Sequence, residues 1–71
     1  MAIGDRIRKV RTRKGLTQIE LAELAGVKQA RISALERNLD TKTKYLVEIA
    51  GALGVDPNWL NSGLGDETPT I

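Results

Sequence analysis

Apolar residues recur along the chain at α-helical spacing, and no run alternates at period two. Ile3, Ile7 and Val10 fall at i, i+4 and i+7 and predict a first helix from Ile3 to Lys14, with Gly15 following as its C′ residue. Thr17 opens a second helix with the strongest start in the chain. Glu20 completes a capping box, and Leu16 and Leu21 occupy the staple positions on either side. Leu21, Ala22 and Ala25 form its inner stripe, and Gly26 ends it. A third helix runs from about Lys28 to about Arg37, with Ile32 and Leu35 inward and Asn38 suited to a positive φ at its end. After a polar loop over Leu39–Thr43, Thr43 is the expected cap of a fourth helix. There Leu46, Ile49, Ala50 and Leu53 repeat at i, i+3, i+4, i+7, and Gly54 stops it. Asp56 and Pro57 open a fifth as cap and first residue, with Trp59 and Leu60 turned to the core.

The expected fold is therefore all-α, a compact five-helix bundle. Periodicity ends at Asn61, so residues 1–64 read as one domain and 65–71, rich in Gly, Asp and Glu with Pro69, as a flexible tail or the start of a linker.

Composition narrows the chemistry. A chain of 71 residues has room for one domain, with a stability of roughly 3–5 kcal/mol. It contains no Cys and no His, which removes thiolate metal sites and the commonest general base. The expectation is a non-enzyme with no metal and no cofactor. Asp5 and Arg6 stand where a signal peptide would be apolar, and no stretch is long enough to span a membrane, so the chain reads as cytoplasmic. The overall charge is +2, but residues 1–37 carry net +5 and residues 38–71 net −3. Such a split suggests one face for a polyanion, although charge runs also occur as solvated surface.

Gly26-Val27 forces a sharp turn between the second and third helices, the spacing of a helix-turn-helix or of a plain helical hairpin. Two features favour the former. Gln29, Ala30, Ser33 and Ala34 share the outer side of the third helix. That face is short, uncharged and suited to a major groove: Gln bonds an adenine edge, Ser donates or accepts, and Ala methyls touch thymine methyls. Arg11 and Glu36, meanwhile, fall beside apolar stripes, four residues after Ile7 and Ile32. Each is costly to bury alone, but together they can form a bidentate pair joining the first and third helices. Solvation of both at the rim is the alternative.

The stretch TQIELAELAGVKQARISALERN, with Arg11 upstream and YLVEIAGALGVDPNWL downstream, resembles the lambda-repressor and Cro type of helix-turn-helix domain. The cap and following Gln, the Glu-Leu-Ala triplet, the Gly-Val turn, the Ile-Ser pair and the late ALGV all fall in register. The resemblance covers about residues 3–64. It implies a DNA-binding repressor that dimerises on a palindromic, double-stranded operator with the third helix in the major groove. It places Gln29, Ala30, Ser33 and Ala34 at base-reading positions and Thr17, Gln18, Lys28, Arg31, Arg37, Lys42, Thr43 and Lys44 at phosphate positions, with Arg11 and Glu36 as a structural salt bridge. Lys28 stands where the family often has a Ser or Thr cap, and Asn38 where Gly is common.

The implied partners are operator DNA and a second copy of the chain, weakly held in the isolated domain. Many family members carry a further C-terminal domain, and the segment from Gly63 resembles the entry to such a linker. Phage repressor, restriction controller and antitoxin are not separable from these residues. A protein-interaction module that kept the fold is the competing function, and it would expose larger apolar groups on the third helix.

Overall fold

The computed structural model describes residues 2–40 and 42–68. Thr41 in the polar loop and residues 69–71 of the tail, Pro69 included, lie outside the described residues, as does Met1. The chain forms α1 (Ile3–Arg13), α2 (Gln18–Ala25), α3 (Gln29–Glu36), α4 (Leu46–Leu53) and α5 (Pro57–Ser62), with no strand among the described residues. None of these helices is long and apolar enough to cross a membrane.

The helix ends follow from their punctuation. At the close of α2, Gly26 takes φ 72°, Val27 N–H donates to Ala22 O at 3.0 Å, and Gly26 N–H donates to Glu23 O at 3.3 Å. This arrangement occupies carbonyls that α2 cannot bond internally, and it needs a left-handed residue that Gly supplies without strain. α3 stops in the same way on Asn38 at φ 60°, with Leu39 N–H bonded to Ala34 O at 2.9 Å. Thr17 and Glu20 form the expected capping box at α2, and Asp56 Oδ2 caps Trp59 N–H at 3.0 Å with Pro57 first in α5.

The start of α4 differs from expectation. Tyr45, not Thr43, is its N-cap, without a side-chain bond, and the helix begins at Leu46. The Thr43 hydroxyl instead accepts Tyr45 N–H at 3.1 Å, so the cap-like bond forms one short turn before the helix proper.

One core draws on all five helices. Ile7, Val10, Leu21, Ile32, Leu35, Ile49, Leu53 and Leu60 are fully buried, with Val27, Tyr45 and Trp59 packed at its edge. α2 lies on α3 and α4, while α1 backs α3, α4 and α5. At Gly4 the approach of α1 to α3 is so close that a Cβ would clash with the Leu35 carbonyl oxygen. Arg6, 6% exposed, lies beside the end of α5, donating from Nε to Leu60 O and from Nη2 to Asn61 O, both at 2.8 Å. Those carbonyls have no partner within their own short helix, so a buried guanidinium completes it.

The segment beyond residue 64 also touches the bundle: Glu67 O accepts Asp56 N–H at 2.7 Å, and the Glu67 carboxylate pairs with Arg13 at 2.8 Å.

The two glycines inside helices should separate cleanly. Gly4→Ala drives a methyl into backbone that cannot rotate away, and should destabilise by about 2–3 kcal/mol in a denaturant melt. Gly51→Ala meets nothing within 4 Å in the body of α4. It should be neutral or raise stability by up to about 1 kcal/mol. Equal effects would remove the close-approach reading of Gly4.

Candidate nucleic-acid interface

The exposed side of α3 is built outward from a buried ion pair. Glu36 has 3% of its side chain exposed and Arg11 13%. Arg11 Nε donates to Glu36 Oε2 at 2.7 Å and Nη2 to Oε1 at 2.9 Å, a bidentate fork. Arg11 Nη1 donates to Leu16 O at 2.8 Å, which adds the α1–α2 turn to the same guanidinium. The Glu36 hydrogen bonds raise the basicity of Arg11 above its ordinary value, against the opposing pull of burial.

Two glutamines continue the chain to the surface. Gln18 Nε2 approaches Glu36 Oε1 at 3.4 Å, and Gln29 Nε2 donates to Gln18 Oε1 at 2.9 Å. The order of donors follows from chemistry. An ionised carboxylate only accepts, so Gln18 must turn its amide NH2 inward and its oxygen toward Gln29. Gln29 must then spend one N–H on Gln18. Its Oε1 and second N–H remain for whatever α3 meets. One acceptor beside one donor is the pattern that complements an adenine edge.

The remaining positions on that face are small. Ala30 is exposed, and Ser33 and Ala34 are half-buried. A shallow groove of about 540 Å³ runs beside them, lined by Gly26, Val27, Lys28, Ala30, Arg31, Ala34, Asp40 and Tyr45.

Of the cations expected at phosphate positions, Lys28 and Arg31 line this groove. Lys28 is exposed as the N-cap of α3 and makes no capping bond, and Arg37 is exposed as its C-cap. Lys42 and Lys44 are exposed in the loop before α4, where Thr43 is half-buried. Arg31 lies with its guanidinium 5.4 Å from the centre of the Tyr45 ring. Thr17 has its Oγ1 and N–H both committed to Glu20. These bonds, led by the Thr17 backbone bond, hold the Glu20 carboxyl below its ordinary value and keep a negative charge at the start of α2.

Three residues that matter here carry no function in the sequence reading. Arg6 sits three residues after Ile3 and one before Ile7, so the stripe logic applied to Arg11 also marks it. Gly4 is a glycine inside a helix with no turn to explain it. Tyr45 is an aromatic next to Lys44 in a basic loop.

This is a helix-turn-helix of the phage-repressor type. A helix-turn-helix family model matches residues 7–60, and the chain belongs to that family. Among its relatives, the HTH-type transcriptional regulator PrtR of Pseudomonas aeruginosa is 43% identical over 64 residues, covering 90% of this chain and 25% of PrtR. The HTH-type transcriptional regulator SinR of Bacillus subtilis is 40% identical over 60 residues, covering 82% of this chain and 54% of SinR. The chain thus spans a quarter to about half of these proteins. Among solved structures, the P22 c2 repressor in complex with a synthetic operator superposes with a TM-score of 0.83 at 29% identity, covering 90% of this chain and 98% of that one.

The ion pair has a direct test. Glu36→Ala leaves the largely covered Arg11 side chain without its carboxylate and should cost about 3 kcal/mol. That approaches the whole stability expected of a domain this small, so circular dichroism at physiological temperature should show a largely unfolded variant. A denaturant melt showing a loss below about 0.5 kcal/mol would mean an interaction no stronger than a surface pair.

Proposed function

We propose that the chain is a sequence-specific double-stranded DNA-binding domain of a transcriptional repressor, with α3 in the major groove. The observation that carries this reading is the hydrogen-bonded series from Arg11 through Glu36 and Gln18 to Gln29. It presents an oriented amide on a helix face otherwise occupied by Ala30, Ser33 and Ala34. Gln29 reads an adenine edge, Ser33 a second base, and the two alanines admit thymine methyls. Thr17, Gln18, Lys28, Arg31, Arg37, Lys42, Thr43 and Lys44 hold phosphates and set the register of α3. The P22 c2 repressor and SinR have both been solved bound to DNA, which supports the same partner here. A protein-docking role would place large apolar groups on α3. The exposed ones, Ile19, Leu24, Leu39, Val47 and Leu64, lie elsewhere.

Gln29→Ala should weaken binding to a selected operator by about 1–3 kcal/mol and leave random-sequence binding nearly unchanged. Lys44→Ala should weaken both and lower the slope of log affinity against log salt by about one unit. Mobility shifts across a salt series measure both effects. Binding that ignores salt would overturn the DNA reading.

A single α3 contacts too few base pairs for a unique operator, so the functional unit is a two-fold dimer on a palindrome, with half-sites about one helical turn apart. Leu64, 75% exposed beyond α5, marks the face where the second copy meets the first. The isolated domain should be a monomer or weak dimer that binds a full palindrome cooperatively. Equal affinity per domain for a half-site and a palindrome would remove the dimer.

A further inference from the structure

Tyr45 connects the recognition helix to the loop behind it. Its ring is half-buried and packs on the core. Its N–H donates to Thr43 Oγ1 at 3.1 Å, and its carbonyl accepts Ile49 N–H at 2.9 Å. Ring and backbone are therefore anchored separately. Two cations gather at that ring: the Arg31 guanidinium carbon lies 5.4 Å from its centre and the Lys44 ammonium 5.2 Å. Both distances fall within the range of about 6 Å in which a ring quadrupole attracts a cation.

Neither cation makes an ion pair among the described residues, although Asp40 lines the same groove as Arg31. The contrast with Arg11 and Arg13 is chemical. Those two are ordered by Glu36 and Glu67, and each carboxylate cancels the charge it orders. An aromatic ring restricts a long cationic side chain without neutralising it. Arg31 and Lys44 thus lose part of their rotamer freedom in advance and keep their full charge for an incoming anion.

Their place on α3 fits one kind of anion. At about 100° per residue, Arg31 lies about 60° around the helix from Ala34, on the side away from Gln29. The face of Gln29, Ala30, Ser33 and Ala34 is therefore flanked by Gln18 on one edge and by Arg31, Tyr45 and Lys44 on the other. A duplex seated on that face brings a phosphate backbone along each edge.

We propose that Tyr45 is a positioning residue whose ring holds Arg31 and Lys44 as a preformed pair of charges for backbone phosphates of duplex DNA. The inference rests on the DNA-binding reading and adds to it an uncharged residue on which the phosphate grip of one flank depends. The effect is independent of base sequence, because a phosphate carries no sequence information.

The test uses Tyr45→Phe, which keeps the ring, and Tyr45→Leu, which keeps apolar bulk against the core. Tyr45→Leu should weaken binding to operator and random-sequence duplex alike by about 5- to 10-fold, while Tyr45→Phe should stay within about twofold of the parent. In an Arg31→Gln, Lys44→Gln background, Tyr45→Leu should add less than about twofold. The Arg31 side-chain Nε–H resonance should show a ring-current shift in the parent and in Tyr45→Phe that Tyr45→Leu abolishes. A denaturant melt fixes the folded fraction in every assay. Parental affinity in Tyr45→Leu would overturn the inference and leave DNA binding intact. So would a loss of equal size in the double-Gln background, or failure of Tyr45→Phe to rescue. If the parent chain binds no duplex in a salt-dependent way, both readings fall together.

Discussion

Glu36 places a carboxylate on the inner side of α3, and the geometry of the outer side depends on how that charge is met. Burial of a lone carboxylate in so small a bundle would cost a large share of its stability. Arg11 meets it with two parallel hydrogen bonds and uses a third nitrogen on the Leu16 carbonyl. One guanidinium thereby relates α1, the turn into α2, and α3. The acceptor-only character of Glu36 then propagates outward through Gln18 and decides which atoms Gln29 exposes. A neutral pair of the same volume could hold the helices together but could not orient that amide.

α1 holds α3 from behind by two contacts that converge on the C-terminal end of α3. Gly4 lets backbone approach backbone at Leu35, and Arg11 grips Glu36 about two turns further along α1. Both contacts fix that end of α3 against α1. The front of α3 needs no packing partner of its own and stays open. Its side chains there are small because the rigidity comes from the rear, an arrangement suited to close contact with a flat surface.

The helices and their ends were legible because their signals are local. The capping box of Thr17 and Glu20, the turn at Gly26-Val27, and the Asp56-Pro57 start each act within a few residues. The Arg11–Glu36 pair was legible because helical spacing sets both charges on apolar stripes. Thr43 misleads because it does accept a backbone N–H, but from a turn that precedes α4. Gly4 is invisible locally, since its reason lies in a carbonyl of α3. Tyr45 gathers its neighbour Lys44 and, from α3, Arg31, and no spacing rule relates Arg31 to either of them. Arg6 was within reach of the stripe argument, but its partners are carbonyls more than fifty residues away.

Charge shows how folding rearranges a linear signal. The net +5 of residues 1–37 suggests that the first half alone supplies a polyanion face. Three of its arginines are turned to structure instead: Arg6 to the end of α5, Arg11 to Glu36 and Arg13 to Glu67. Lys42 and Lys44, two of the cations expected at phosphate positions, come from the net-negative half. Asp40 lines the same groove as Lys28 and Arg31, and Glu20 keeps a negative charge at the start of α2. In the proposed reading, the preordering of Arg31 and Lys44 by Tyr45 strengthens the phosphate contacts, and discrimination between bases falls to the neutral contacts of Gln29 and Ser33.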